Sequence, residues 1–262
     1  MPQYKKGVFL NIFGHEPAKW RKDASFAKSL KNLDHAEILL EYLPTQDECR
    51  ELGEILGGLK RIVHAPFTSL TLCACWPEII EGSLKVFKMS LAAADRIGAE
   101  VATIHANERP FHMAEAVARE ACIKNFGALL RAGFRVKPAL ENLPAGGIVE
   151  PNYPQTVAQM EELLQALPGV RFTLDVGHAI QNKDDFYSFF KKHHAAILDI
   201  HLHDAIWGGR GHLALGKGDL DLEKFLAALR EIDYGGFVSL ETIGEEDTAL
   251  SWEILHKAEK KF

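Results

Sequence analysis

The chain alternates between short apolar stretches and longer segments with helical periodicity. Eight of the apolar stretches read as β-strands, and each ends on a side chain that can bind a metal ion or move a proton: Asn11, Glu41, His64, His105, Glu141, Asp175, His203 and Glu241. The segments between them predict helices over roughly 24–33, 46–57, 78–97, 113–131, 156–167, 183–193, 221–230 and 247–260, where apolar residues recur at i, i+3, i+4 and i+7. This alternation predicts a parallel sheet whose strands are connected by crossover helices.

The faces of the strands distinguish a closed barrel from an open sheet. Successive side chains of a strand point to opposite faces, so Asp199, His201 and His203 share one face and the residues between them, which are apolar, share the other. An open sheet covered by helices on both sides would be apolar on both faces. We therefore expect an α/β fold, a (β/α)8 TIM barrel that forms a single domain over residues 1–262, with the polar face inside.

Charge and composition argue against two classes of binding partner, nucleic acids and membranes. The net charge of −6 argues against nucleic acid as a partner, because affinity for nucleic acid depends mainly on cationic contacts to phosphates. No apolar stretch approaches the roughly 20 residues of a membrane span, and the apolar run near the N-terminus is too short for a signal peptide. The four cysteines form no C-x-x-C pair. We expect a reduced, cytoplasmic protein without a membrane partner; a homo-oligomer stays open.

Four strand-end residues from consecutive strands form a candidate metal site. Glu141, Asp175, His203 and Glu241 end the fifth to eighth predicted strands, whose carboxyl ends would meet at one rim of a barrel. Carboxylates gathered there would repel each other without a cation. Three carboxylates and one imidazole suit a divalent ion such as Mn²⁺, Mg²⁺, Co²⁺ or Zn²⁺. Any one of them alone reads more simply as an isolated polar strand end, but four in succession favour a metal site.

Several histidines are further candidates. His178 follows Asp175 by three residues and can reach over the metal toward a substrate oxygen. His212 lies in a glycine-rich loop, where a lone histidine is more often solvent-facing than a ligand. His64 and His105 are either ligands of a second metal bridged by Glu141 or neutral groups that hydrogen-bond to substrate. His201 shares its face with His203 but lies one layer deeper, which favours a supporting or core role. His15 and Glu16 follow the first strand and are either substrate contacts or plain loop residues.

The order and spacing of seven short motifs carry a family resemblance. They are V-H-A-P-F (63–67), T-I-H-A-N (103–107), L-E-N-L-P (140–144), L-D-V-G-H (174–178), H-L-H-D (201–204), H-x-x-L-G-K-G-D (212–219) and S-L-E-T (239–242). Together they resemble the xylose isomerase-like barrel superfamily. That group contains sugar and sugar-phosphate isomerases and epimerases, related dehydratases, and apurinic endonucleases of the endonuclease IV type.

The resemblance to the epimerase branch implies specific roles. Glu141, Asp175, His203 and Glu241 match the metal ligands of that branch, and His178 matches a histidine that contacts the substrate. Glu141 and Glu241 also correspond to the two glutamates that flank the substrate and exchange its proton.

The resemblance to the endonuclease branch implies up to three zinc ions, with one departure. His64, His105 and Glu141 match one zinc site, the same four ligands match a second, and His178 and His212 match part of a third. That third site needs an aspartate two residues before His212, where this chain has Arg210. A guanidinium cannot bind a cation. Arg210 suits a substrate phosphate, carboxylate or hydroxyl group instead.

The resemblance favours a divalent-metal-dependent sugar or sugar-phosphate isomerase or epimerase, acting by proton transfer through a metal-bound enediolate on a small carbohydrate. Two readings stand beside it: a zinc-dependent hydrolase or lyase of the endonuclease IV type, and a non-catalytic barrel that binds a ligand. The aromatic residues Phe67, Trp76 and Trp207 are candidates for the walls of a sugar site.

Overall fold

Eight parallel strands close into a barrel in which neighbours in sequence are neighbours in space, and β8 pairs with β1. The structure, a computed structural model, describes residues 3–13, 19–110, 112–146 and 151–261. The strands are β1 (Lys5–Phe13), β2 (His35–Leu40), β3 (Lys60–His64), β4 (Val101–Ile104), β5 (Lys137–Glu141), β6 (Phe172–Asp175), β7 (Ile197–Leu202) and β8 (Phe237–Leu240). The predicted (β/α)8 barrel is confirmed. The predicted strand ends agree to within one residue except in β1, which runs two residues further.

Helices follow the strands and form the outer layer. They are α1 (Trp20–Ser29), α2 (Gln46–Leu56), α3 (Pro77–Ile97), α4 (Glu115–Leu130), α5 (Val157–Ala166), α6 (Val176–Gln181), α7 (Phe186–His193), α8 (Leu222–Glu231) and α9 (Glu245–Glu259), with a short 3₁₀ turn at His194–Ala196. Most predicted helices agree to within about three residues. The exceptions are α1, which begins and ends four residues earlier than predicted, and α6, which the periodicity did not indicate.

Local side-chain chemistry explains several helix boundaries. Thr45 and Thr156 each accept a hydrogen bond from a main-chain N–H of the first turn, and the third residue of each helix, Glu48 or Gln159, returns a bond to the capping residue. Helix α3 ends at Gly98, whose φ of 76° is left-handed and therefore suits glycine. Asp175 caps α6 by accepting a hydrogen bond from the His178 main chain. This cap connects the end of β6 directly to the site described below.

The inside of the barrel changes from apolar to polar within two residues along the strands. Four buried residues form an apolar cluster near the amino ends: Ile62, Val101, Ala139 and Phe237. Two positions further along the same strands come polar residues that are all at most 1% exposed: His64, Thr103, Glu141 and Ser239. Glu37 and Asp199 add two fully buried carboxyl groups to this interior. Burying so many polar groups costs free energy unless each has a hydrogen-bonding or charged partner. The partners of these groups are therefore described below.

The apolar core lies between the barrel and its helices, and includes large buried side chains such as Trp20, Phe87, Phe126 and Phe190. The cysteines Cys49, Cys73, Cys75 and Cys122 are free thiols. Within the described ranges, no helix is both long enough and apolar enough to cross a membrane.

Candidate metal centre

Three carboxylates converge on one imidazole nitrogen at the carboxyl end of the barrel. The Nδ1 atom of His201 lies 2.8 Å from Glu241 Oε2, 3.2 Å from Glu141 Oε1 and 3.8 Å from Asp175 Oδ2. One donor atom from each of these residues lies within 4.8 Å of the others. Glu141, Asp175 and His201 are at most 1% exposed, and the side chain of Glu241 is 13% exposed. We refer to these four residues as the acidic cluster.

The imidazole of the acidic cluster is His201, whereas the sequence predicts His203 at this place. Asp175 of β6 and His201 of β7 are register partners, which brings their side chains together in the barrel. His203 lies two residues further along and, of the three carboxylates of the acidic cluster, it contacts Asp175, with Nε2 at 3.1 Å from Oδ1. The alternation of side chains along β7 predicts a supporting role for His201, but the structure places this residue among the three carboxylates. The alternation within one strand does not show which residue of β7 lies beside Asp175. The register between β6 and β7 determines this, and it pairs Asp175 with His201.

A second group consists of three histidines, His178, His203 and His212, whose donor atoms also lie within 4.8 Å of one another. The Nε2 atoms of His178 and His212 are 3.4 Å apart, and the His203 and His212 rings stack with centroids 4.2 Å apart. We refer to these residues as the histidine triad. Gly177 makes room for it, because a Cβ at that position would overlap the His203 ring.

A third group contains His64, His105 and Glu141. His105 Nε2 lies 2.8 Å from Glu141 Oε2 and 3.1 Å from His64 Nε2. Glu141 therefore belongs both to this group and to the acidic cluster. The arrangement suits either reading of these histidines, as ligands of a second cation bridged by Glu141 or as hydrogen-bonding groups.

The main chain orients several of the rings. The Nδ1 atoms of His64, His178 and His212 lie 2.8, 3.0 and 3.2 Å from the carbonyl oxygens of Ala65, Asn142 and Glu241. A ring that donates its Nδ1–H to a carbonyl keeps the lone pair on Nε2, and metal-binding histidines usually show such a partner on the outer nitrogen. His203 Nδ1 lies 3.0 Å from the Asp204 carbonyl, but it also lies 2.8 Å from the main-chain nitrogen of His212.

Neighbouring groups of opposite charge keep the His201 imidazole protonated and the carboxyl groups of Glu141 and Glu241 ionised. Burial alone would lower the pKa of His201, but the carboxylates of Glu37, Glu241 and Glu141 raise it well above its usual value. Burial would raise the pKa of Glu141, yet His201 and His105 hold it well below the usual range. The pKa of Glu241 is lowered in the same way by His201, against the effect of burial. Both glutamates are therefore ionised near neutral pH and can bind a cation or accept a proton.

The residues of the acidic cluster fit a divalent cation. Two glutamates, one aspartate and one imidazole are the oxygen and nitrogen donors that Mn²⁺, Mg²⁺, Co²⁺ and Zn²⁺ accept. Their donor atoms already face one another, although three carboxylates in one buried place would repel without a positive partner. The chain balances part of this charge with the His201 imidazole, and a cation would compete for the same oxygens.

A cavity of about 500 Å³ opens onto this end of the barrel. Glu241 and His212 line it together with apolar side chains that include Phe9, Leu39 and Phe67. Phe67 also contacts the third group, because its ring lies 5.2 Å from the His105 ring between centroids. The size and lining suit a small molecule that presents polar groups to Glu241 and carbon atoms to the aromatic side. A cavity of about 860 Å³, lined by residues such as Tyr4, Lys6 and Glu259, contains none of the clustered carboxylates.

Other predicted site residues lie elsewhere. Arg210 is exposed in the loop after β7 and is not among the residues that line the 500 Å³ cavity. Trp76 and Trp207 are 68% and 55% exposed and do not line it either. Glu41 accepts hydrogen bonds from the main chain of Phe67 and from the Thr68 hydroxyl, so it positions the loop after β3. His15 and Glu16 lie outside the described residues.

Several solved structures similar to this one are described as sugar epimerases or as epimerase-like. A D-tagatose 3-epimerase-like protein superposes with a TM-score of 0.83 at 21% identity, covering 98% of this chain and 97% of its own. A D-allulose 3-epimerase from Methylomonas sp. in complex with D-allulose gives a TM-score of 0.82 at 16% identity, covering 100% and 98%. An L-ribulose 3-epimerase gives 0.79 at 13%, covering 98% and 96%. At these identities the likeness establishes the fold.

Two relatives by sequence are uncharacterised proteins of Methanocaldococcus jannaschii. One is 26% identical over 239 residues, which is 86% of this chain and 80% of the relative. The other is 27% identical over 194 residues, 73% of this chain and 74% of the relative. A family model described as xylose isomerase-like TIM barrel matches residues 24–259. Since that match covers most of the chain and the barrel closes as the family requires, the protein belongs to the xylose isomerase-like TIM barrel family.

Proposed function

We propose that this protein is a divalent-metal-dependent isomerase or epimerase of a sugar or sugar phosphate. The observation that carries the proposal is the convergence of Glu141, Asp175 and Glu241 on His201 Nδ1 beside an open cavity. The fold shared with sugar epimerases supports the same class of reaction. In this proposal the acidic cluster holds the cation, and His203 is an alternative ligand through its contact with Asp175.

The two glutamates are the proposed acid and base. Glu241 lines the cavity and is ionised at neutral pH, so it is the group placed to take the proton next to a substrate carbonyl. Glu141 is buried behind it and is held by His105 and His201, so it would return a proton only to a substrate that reaches into the cluster. A positioned carboxylate of this kind contributes roughly 10²–10⁴-fold to the rate.

The remaining residues bind and shield the substrate. A divalent cation in the acidic cluster would polarise the carbonyl and hydroxyl oxygens as a Lewis acid, which is worth several kcal/mol of barrier. His212 and Phe67 line the cavity and would contact the hydroxyl groups and the carbon face of the sugar. His178 lies beside Asp175, 3.3 Å from Nδ1 to Oδ2, close enough to the cluster to contact a bound oxygen. Arg210 remains a proposed contact for a phosphate that extends out of the cavity.

The proposal is tested by exchange of substrate protons with solvent. The purified protein is treated with EDTA, reloaded separately with Mn²⁺, Co²⁺, Mg²⁺ or Zn²⁺, and incubated with open-chain ketoses and ketose phosphates in deuterium oxide. We expect metal-dependent incorporation of deuterium next to the carbonyl, with formation of the epimer or the aldose, measured by NMR. Lack of exchange with every metal and every ketose in the panel would contradict the proposal.

The histidine triad favours a second candidate, a zinc-dependent hydrolase or lyase of the endonuclease IV type. Arg210 stands where that branch has an aspartate ligand, but His203 lies beside His178 and His212 and offers a third donor in its stead. Three imidazoles are a common zinc-binding set. The net charge of −6 weighs against a DNA substrate. Zinc stoichiometry by elemental analysis and cleavage of an abasic oligonucleotide test this candidate: two or three zinc ions together with strand cleavage would favour it over the isomerase.

A further inference from the structure

The His201 ring lies between two sets of carboxylates. Its Nδ1 atom faces the carboxylates of the acidic cluster, while its Nε2 atom faces the barrel interior. There Nε2 lies 3.1 Å from Glu37 Oε1, at hydrogen-bonding geometry, and 3.0 Å from Glu37 Oε2. Asp199 is further away, with Oδ2 at 3.7 Å. The two nitrogens of one buried ring therefore have separate partners above and below.

Glu37 has no access to a substrate. It lies in the middle of β2, its side chain is 0% exposed, and it does not line the cavity at the barrel mouth. Besides His201, it accepts a hydrogen bond from the Thr103 hydroxyl at 3.2 Å. A carboxylate buried this deeply is costly unless it is paired with good geometry. The pairing with His201 is the compensation that the structure offers, and it also fixes the orientation of the ring.

We propose that Glu37 is a positioning residue, which accepts the Nε2–H of His201 and so holds the Nδ1 atom of that ring toward Glu141, Asp175 and Glu241, where it can bind a cation that displaces the Nδ1 proton. The inference rests on the proposed function in that it takes the acidic cluster as the metal site. A carboxylate on the outer nitrogen of a ligating histidine sets its tautomer and raises its basicity. Four other rings of the site, those of His64, His178, His203 and His212, have a main-chain carbonyl at hydrogen-bonding distance of Nδ1. For His201 the corresponding partner, on Nε2, is the carboxylate of Glu37.

Asp199 is the natural comparison. It is as deeply buried as Glu37 and comes from the neighbouring part of the interior, but its oxygens are engaged by the Ser239 hydroxyl and by the Ile200 main chain, at 3.0 and 2.8 Å. At 3.7 Å its carboxyl group is beyond hydrogen-bonding distance of the His201 ring. D199N should therefore leave the orientation of His201 unchanged. Like E37Q, it replaces a fully buried carboxyl group by an amide of the same size.

The experiment compares Co²⁺ binding by the full-length wild-type protein, E37Q and D199N, titrated after EDTA treatment and followed by the visible absorption of the bound ion. We expect E37Q to bind Co²⁺ roughly 10–100-fold more weakly and to show an altered spectrum, because the imidazole is less basic and less fixed. We expect D199N to remain within about threefold of wild type, with the wild-type spectrum. Circular dichroism and thermal unfolding establish that both variants are folded.

The outcomes separate this inference from the proposed function. Wild-type protein that binds Co²⁺, together with a folded E37Q of unchanged affinity and spectrum, would overturn the role of Glu37 and leave the proposed function standing. Equal losses in E37Q and D199N would also overturn it, because the effect would then belong to the loss of any buried carboxyl group in this part of the barrel. Failure of the wild-type protein to bind Co²⁺, Mn²⁺ or Zn²⁺ would overturn the proposed function and this inference with it. For an E37Q variant that does not fold, E37D provides the same comparison with a shortened carboxylate.

Discussion

His203 Nε2 lies 3.1 Å from Oδ1 of Asp175, which joins the histidine triad to the acidic cluster. Burial lowers the pKa of His203, but Asp175 raises it to about 9, so the pair forms an imidazolium–carboxylate contact at neutral pH. Asp175 also faces His201 and caps helix α6. One carboxylate therefore connects two groups of candidate ligands, and a change in either group should affect the other.

The close approach of Gly177 to His203 gives a prediction for stability. G177A would place a methyl group in the space of the buried ring, and overpacking of this kind costs about 1–3 kcal/mol. We expect the free energy of unfolding in urea, measured in EDTA, to fall by that amount. G82A in helix α3 is the matched control, because a Cβ there meets nothing within 4 Å. Equal stabilities of the two variants would show that the His203 ring can move aside.

The acid–base assignment predicts the effect of removing one charge at the cavity. E241Q should lower kcat by roughly 10²–10⁴-fold while leaving the fold intact, because the amide cannot accept the substrate proton. The readout is deuterium exchange into a ketose that the wild-type protein turns over. E253Q on the exposed face of α9 is the control, since Glu253 lies at the surface, where it pairs with Lys257. An E241Q variant with wild-type activity would refute the assignment.

His35 predicts a pH dependence of stability. Burial lowers the pKa of His35 to about 3, and its Nε2 donates to the Ser239 hydroxyl. Because the unfolded chain takes up the proton below about 6.5 and the folded protein does not, the contribution is complete above that pH and is lost as the pH falls toward 3. We expect wild type to lose about 2 kcal/mol more than H35Q between pH 7 and pH 5, measured by urea unfolding in EDTA. Parallel stability curves for the two proteins would contradict this expectation.

The aromatic wall of the cavity predicts a change in substrate affinity. F67A removes a ring that lines the cavity beside His105, and an aromatic contact is worth about 0.5–1.5 kcal/mol. We expect KM to rise roughly 2- to 10-fold with little change in kcat, since this contact is present before and during reaction. W76A, at an exposed tryptophan that does not line the cavity, should leave both constants unchanged. A larger KM effect in W76A than in F67A would place the substrate elsewhere.

The sequence predicts the strands of this barrel well because alternation of apolar and polar residues is a local property. It predicts that Glu141, Asp175 and Glu241 lie close together for the same reason, since each ends or directly follows a strand. The choice between His201 and His203 depends instead on the stagger between β6 and β7, which no single strand encodes. Helix α6, with six residues, is too short for periodicity to reveal, although the aspartate before it is a typical capping residue.

The contact between Glu37 and His201 is a second feature that the sequence of one strand does not predict. In the sequence Glu37 stands within the strand H-A-E-I-L-L, where only His35 is also polar, but its partner is 164 residues away. Only closure of the cylinder brings the two together. A buried acidic residue within an apolar strand is nevertheless a signal that can be searched for, because such a residue needs a partner.

Peptide oxygens lie at hydrogen-bonding distance of the Nδ1 atoms of the rings at positions 64, 178 and 212. Mutational drift at surrounding positions cannot delete these anchors, because every amino acid supplies the same backbone carbonyl. The side chains of the surrounding loops can therefore change and accommodate ligands of other shapes, while the three imidazole rings keep their orientation.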